Sequence, residues 1–380
     1  MMQSPTKPPV WVARPRALEQ MAVELSKHGQ IAIDTESNSL FAYKEQVCLI
    51  QISIPGTDYL VDPLALSDLD LLKPIFANPD IIKIFHAAEY DIICLKRDFG
   101  FEFEHIFDTM QAARILGRKD VGLANMLKNE FGIILEKKYQ RANWGQRPLT
   151  VPMLAYARLD SYYLIDLQNR LAPELEEKGL LDLAKEDFQH LAHLDAAPTE
   201  SQPPVWWRLV NGKELSAQQC ASLQALLEYR EVQARNTDVP PFKILNNQTL
   251  IDIAAANPRS LDDLKTAGHL TQKQIERHGY NLLGALAQSA KINLPARPVT
   301  RKPSDAILAR MDLLKNWRKE TGRKLEVESD IILPREVMEA IAYRGPASQT
   351  ELNEIMVNFP WRSRHFGEQI LGTIQQLERT

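Results

Sequence analysis

Long apolar runs are missing from this 380-residue chain, and with them any candidate for a membrane-spanning helix. The segment Met1 to Leu18 carries prolines and charges where a signal peptide needs an apolar core, so the chain reads as cytoplasmic. Cysteine is scarce. Cys48, Cys94 and Cys220 are odd in number, far apart and set in apolar segments. That excludes a disulfide framework and a thiolate metal site, and leaves buried thiols in a reducing compartment. A surplus of positive charge is missing too: 45 basic residues against 49 acidic ones give a net charge of −4. Any nucleic-acid surface must therefore be local. Two basic clusters exist, Lys137, Lys138, Arg141 and Arg147, and Lys315, Arg318, Lys319, Arg323 and Lys324, and either alone reads as a solvated face or loop.

What is present falls into two characters. The length suits two to three domains. The first half alternates short strands rich in Ile and Val (31–35, 47–54, 59–61 and 81–85) with helical periodicity over 90–99, 109–116, 122–131 and 151 to about 175. This predicts an α/β domain with a mixed sheet over residues 1–195. After a linker at 196–208 the strand signals nearly vanish, and the chain repeats itself at an offset of 88. Arg230 matches Arg318, Ile244-Leu245 matches Ile332-Leu333, Pro258 and Ser260 match Pro346 and Ser348, and Gly279 matches Gly367. Such a register predicts two homologous all-helical domains, 209–293 and 304–380, joined by a proline-rich linker at 294–303. Trp206 and Trp207 are expected to seal the joint between domains.

The chemistry lies in a few residues of the first half. Asp34 and Glu36 end an apolar run and, two apart in a strand, share a face. Asp91 follows a second run that ends in His86, and Tyr156 and Asp160 stand four apart on a helix. Each acid alone is commonplace; the set is not. Four carboxylates converging in one folded site repel unless cations neutralise them. All-oxygen ligands suit Mg²⁺ or Mn²⁺ rather than zinc. Two such ions about 3.5–4 Å apart clamp a scissile phosphate in two-metal phosphodiester hydrolysis. The phenol of Tyr156, with an ordinary pKa near 10, is a poor base and better suited to aiming the attacking water.

These three segments resemble exonuclease motifs I, II and III of the DEDD superfamily, and the first domain resembles the ribonuclease D family. The stretches Phe107-Asp108-Thr109 to Gly117, Gly122-Leu123-Ala124 and Asn143 to Leu149 carry the likeness beyond the acids. The helical repeats resemble HRDC domains. The resemblance implies a ribonuclease H-like fold and 3′→5′ hydrolysis of RNA, one 5′-nucleotide at a time, with tRNA precursors and other structured RNAs as substrates and a monomeric protein. By the same resemblance Asp34, Glu36, Asp91 and Asp160 bind the metals and Tyr156 positions the water. The histidine subclass would place its histidine at Ala155, so the tyrosine branch is implied. Met153 and Asn143 depart from the family pattern, which bears on substrate contacts and not on the ligands.

Four further residues are substrate-binding candidates. His86 could touch a phosphate or cap the following turn. Trp144 and Arg147 could pack beside the site or meet the RNA strand. Phe41, with its neighbour Tyr43, could stack a terminal base or be buried. Two other functions compete with the exoribonuclease: a 3′→5′ DNA exonuclease, and an inactive RNA-binding scaffold. Loss of a metal ligand would mark the scaffold, and all four are present. The absence of a P-loop argues against a helicase-associated DNA exonuclease.

Overall fold

A computed structural model describes residues 5, 7–136, 138–196, 203–210, 215–292, 294–297 and 302–375. Lys137 of the first basic cluster and parts of both linkers lie outside the described residues. The chain divides into two compact units, one made of Met1–Glu36, Val47–Ala197 and Arg301–Thr380, the other of Ser37–Gln46 and Pro198–Thr300. Among the described residues no helix is long and apolar enough to cross a membrane.

The first unit is built on a six-stranded sheet. Its strands are β1 (Val10–Val12), β2 (Gln30–Ser37), β3 (Val47–Ile54), β4 (Thr57–Val61), β5 (Ile82–Phe85) and β6 (Ile106–Asp108), in the order β1-β4-β3-β2-β5-β6. β3 and β4 form an antiparallel hairpin, whereas β1 with β4, β2 with β5 and β5 with β6 run parallel, so the expected mixed sheet is present. Every residue of β3 is buried, Gln51 and Ser53 included, as befits a mostly apolar strand covered on both faces. The helices are α1 (Pro15–Leu25), α2 (Lys73–Phe76), α3 (Glu89–Phe99), α4 (Thr109–Ile115), α5 (Leu123–Phe131), α6 (Val151–Tyr162), α7 (Leu164–Glu177) and α8 (Leu181–Ala192). The helix expected over 151–175 is two helices, broken at Tyr163, where no proline or glycine signals the turn. β1 and β6 escaped the sequence reading because each has only three residues and neither adjoins a Pro-Gly turn like the one that marked 59–61.

The sheet explains how distant acids can meet. β2 and β5 are neighbours, so the ends of the two strands that lead to Asp34, Glu36 and Asp91 lie side by side. α6 packs on β3, on the other flank of β2, and brings Tyr156 and Asp160.

The helical repeat is exact enough to check bond by bond. The first copy runs α9 (Ala217–Thr237), α10 (Pro241–Ile244), α11 (Asn247–Ala256), α12 (Leu261–Ala267) and α13 (Gln272–Gln288); the second runs α14 (Asp305–Lys324), α15 (Ser329–Ile332), α16 (Arg335–Arg344), α17 (Gln349–Ile355) and α18 (Pro360–Gln375). Arg230 donates to the Leu245 carbonyl at 2.9 Å, and Arg318, 88 residues on, donates to the Leu333 carbonyl at 2.8 Å. Ser260 and Ser348 cap α12 and α17 in the same way. Gly279 and Gly367 each sit where a methyl group would come within 2.7 Å of a neighbour, Leu261 in one copy and Gln349 in the other. The Gln349 amide is exposed and can swing aside, whereas Leu261 is packed against its copy's core. Gly279→Ala should therefore cost about 1–3 kcal/mol in urea unfolding and Gly367→Ala clearly less; equal costs would refute this account.

Trp206 is half-buried and packs against the second unit's own core. Its indole N–H donates to the Pro295 carbonyl at 3.1 Å, and its backbone N–H donates to Gln224.

Candidate active site

Asp34 and Glu36 stand near the end of β2, both half-buried. Asp91 occupies the first turn of α3, buried, where the helix dipole favours a carboxylate. The Thr35 hydroxyl donates to Asp91 Oδ1 in a short hydrogen bond. Tyr156 and Asp160 project from α6, whose start is capped by the Thr150 hydroxyl.

The electrostatics show that these side chains are gathered. Burial first, then the charges of Asp91, Asp160 and Glu36, push the Asp34 carboxyl well above the usual carboxylate range. Burial, with Asp160 and Asp91, pushes Glu36 up to about 9. Burial raises Asp91 to about 7 against the Thr35 hydrogen bond, and burial with the Asp91 charge raises Asp160 to about 7. The Tyr156 phenol is also raised, by burial and then by Asp160, Glu36 and Asp34, so it keeps its proton at neutral pH. Four mutually repelling acids under a neutral phenol are what the chain places at this end of the sheet. Among the described residues, no three His, Cys, Asp or Glu side chains are already drawn to coordination distance. The donor set nevertheless fits divalent cations in kind, being all oxygen and destabilised by its own charge.

The other candidates are placed differently. Trp144 is 1% exposed, packed among Cys48, Leu49, Met153 and Ala157, so it cannot meet a strand. Its ring lies 6.3 Å from that of Tyr156 and braces it. Arg147 spends its guanidinium on Asp62, at 2.6 and 2.8 Å, and on the carbonyls of Cys48, Trp144 and Gln146. It ties the 143–148 loop to the sheet rather than waiting for phosphate. His86 lies 2.9 Å from the Thr109 hydroxyl through Nδ1, and burial lowers its pKa, so it stays neutral and makes a poor phosphate clamp. Phe41 has its ring covered by the Lys243 ammonium at 4.1 Å, and Tyr43 is bonded to Glu231 and Arg235, all within the second unit. The ring face of Phe41 toward Lys243 is thus taken by a cation.

One residue that the sequence reading passed over anchors the site. Asp108, 2% exposed, accepts from the backbone N–H groups of Ala87, Ala88, Met110 and Gln111 at 2.7–3.2 Å. It caps α4 and also pins the turn before α3, where Ala87 adopts φ 62°, a conformation unfavourable for a side chain. Asp91 begins its helix from that turn. The signal was available: an acid between the apolar pair Ile106-Phe107 and a helical pattern is an N-cap signature. Asp108→Ala should cost about 3 kcal/mol or more in urea unfolding, because it orphans two helix starts at once. A loss under 1 kcal/mol would deny Asp108 this anchoring role.

A fold with a mixed sheet, an acid-lined end and appended five-helix repeats defines a nuclease domain joined to helical modules. Residues 9–176 match the 3′-5′ exonuclease family, and residues 219–286 and 307–374 match the HRDC domain family. It is 28% identical over 370 residues to Ribonuclease D of Sphingobium indicum, covering 95% of this chain and 93% of that one. It is 32% identical over 301 residues to Exosome complex exonuclease RRP6 of Saccharomyces cerevisiae, covering 75% of this chain but only 41% of that relative's length. The crystal structure of Escherichia coli RNase D superposes with a TM-score of 0.70 at 24% identity, covering 97% of this chain and 99% of that one, a likeness of fold.

Proposed function

We propose that this chain is a cytoplasmic 3′→5′ exoribonuclease that releases 5′-nucleotides from the 3′ ends of structured RNAs, tRNA precursors among them. The observation that carries the reading is the set of four desolvated, mutually repelling carboxylates under a protonated tyrosine, in an exonuclease-family domain.

In this reading Asp34, Glu36, Asp91 and Asp160 hold two divalent cations, Mg²⁺ or Mn²⁺. Such a pair, when bound, neutralises the acids and stabilises the charge that develops on the phosphate. Thr35 keeps Asp91 turned toward β2, and Asp108 keeps the start of α3 in place. Tyr156 cannot serve as a base at neutral pH, because its pKa is raised; its hydroxyl donates to or orients the attacking water. Trp144 supports the Tyr156 ring from behind, which limits the rotamers from which the hydroxyl can act.

The test is degradation of a 3′-extended tRNA labelled at its 5′ end, by wild type and by Asp34→Ala, with Mg²⁺, with Mn²⁺ and with EDTA. A ladder shortening from the 3′ end, lost with chelator and in the variant, is the expected result. Intact RNA under all conditions with binding retained would replace the enzyme by a scaffold. Equal cleavage of a DNA strand would widen the substrate class.

A further inference from the structure

Behind α6, the helix that carries Tyr156 and Asp160, lies a buried polar cluster to which no role above is given. Asp58 on β4 stands directly opposite Ser53 on β3. Arg158 of α6 donates to Asp58 in a short ion pair, and to the Lys7 carbonyl, ahead of β1, at 2.5 Å. The Ser53 hydroxyl donates to Asp58 at 2.8 Å and lies 2.8 Å from the Ser161 hydroxyl of α6. A carboxylate only accepts, so the Ser53 hydrogen points at Asp58 and Ser161 must donate to Ser53. None of these four residues is more than 7% exposed. Stability alone does not account for them, because a buried ion pair seldom outdoes the apolar groups that would replace it. Among the described residues the Arg158 Nε has no partner, and neither has the fully buried amide of Gln51, two residues before Ser53 on β3. Fastening a helix to a sheet needs only apolar contact, as Leu49, Leu60 and Ala157 already provide.

We propose that Arg158, Asp58, Ser53 and Ser161 are positioning residues that lock the roll of α6 about its axis and so fix Tyr156 and Asp160 against the strand-borne acids. The inference rests on the exoribonuclease reading and names what holds one wall of that site in place. At 3.6 residues per turn, Tyr156 and Asp160 lie to one side of the fully buried Ala157, and Arg158 and Ser161 lie to the other. A methyl group interdigitates poorly, so a helix resting on alanine meets little steric resistance to rolling. The Arg158 guanidinium reaches two different elements, and bonds that diverge in this way define an angle, where an apolar contact defines only a distance. A roll of about 10° moves a side-chain tip at the helix's outer radius of about 6 Å by about 1 Å. A misplacement of about 1 Å costs a reaction of this kind about 100-fold.

The test compares the full chain as wild type, as the double variant Asp58→Leu/Arg158→Met, as Arg158→Lys and as Ser161→Ala. Urea midpoints report stability, and hydrolysis of a 5′-labelled single-stranded oligoribonucleotide gives kcat and KM. Mn²⁺ binding is followed by electron paramagnetic resonance of the free ion. The double variant should keep the wild-type urea midpoint, because apolar groups replace both charges. It should lose about 100-fold in kcat with KM within about threefold, and bind Mn²⁺ about 10-fold more weakly. Arg158→Lys keeps the charge without the diverging bonds and should fall between the two. Ser161→Ala leaves the ion pair intact, and its kcat should fall about 3- to 10-fold at an unchanged midpoint. Wild-type kcat and Mn²⁺ affinity in the double variant, or in Ser161→Ala where the double variant does not fold, would overturn the lock and leave the nuclease reading standing. Losses that merely track the urea midpoint would overturn it too. A wild type that binds Mn²⁺ without hydrolysing RNA would fail the nuclease reading alone, the Mn²⁺ comparison still deciding the lock. A wild type that does neither would overturn both.

Discussion

In EDTA the protein should lose stability steadily as the pH rises from about 5 to 9, and Asp34→Asn should recover part of that loss while abolishing hydrolysis. The four acids keep protons in the folded state that an unfolded chain gives up near pH 4. The native state therefore binds more protons between that value and the raised ones, about 7 for Asp91 and Asp160 and about 9 for Glu36. Stability must fall with pH across the window. Mg²⁺ or Mn²⁺ should flatten the profile and release protons on binding, because the ions take the deprotonated acids. Activity moves the other way: Asp34→Ala should lose about 10³-fold or more, as befits a group acting on transition-state charge. Urea midpoints at several pH values, with and without metal, together with turnover of both variants, would check it. A flat profile in EDTA would mean the acids are neither crowded nor desolvated.

Arg362→Ala should be the most destabilising single truncation outside the sheet's core, at about 3–5 kcal/mol. The side chain is fully buried on α18. It donates to Glu186 at 2.6 Å, to Asp187 at 2.7 and 3.0 Å, and through Nε and Nη2 to the Ile331 carbonyl at 3.0 and 2.9 Å. Burial still pushes the Glu186 carboxyl up in spite of the arginine, so desolvation outweighs attraction there. Truncation would leave two acids buried without their cation, the costly half of a broken ion pair. Around it, Arg114 reaches Glu328 and Asp330, an outer pair too exposed to matter as much. Limited proteolysis should cut the variant between α14 and α18 faster than wild type. Wild-type resistance together with unchanged urea unfolding would show that the second helical copy is held by apolar contacts alone.

The acid set was legible because residue type, order and element all constrain it: an Asp-x-Glu at a strand end, an Asp after a second strand, a Tyr and Asp one turn apart. The repeat was legible because capping serines and crowded glycines recur at one offset. What escaped detection depends on backbone geometry. Nothing in the identity of Thr35 announces that its hydroxyl will hold Asp91, and the N-cap signature of Asp108 does not announce that its carboxylate will also hold the Ala87 and Ala88 N–H groups ahead of α3. For Trp144 and Arg147 the sequence left packing and strand contact both open, and the structure shows packing and internal hydrogen bonds. An aromatic ring and a guanidinium look the same in sequence whether they face a ligand or the chain's own carbonyls. Phe41 shows the same limit, since its cover, Lys243, comes from about two hundred residues away.

The duplicated helical module raises a question of address. Two copies that share caps, clasps and crowded glycines could in principle compete for one seat on the nuclease domain. The position that matches Arg362 in the first copy is Gln274, and there the side chain is engaged in capping α13. A short amide offers no cation to two buried acids such as those on α8, so the first copy lacks the side chain with which the second grips Glu186 and Asp187. At this position the duplicated modules have ceased to be interchangeable.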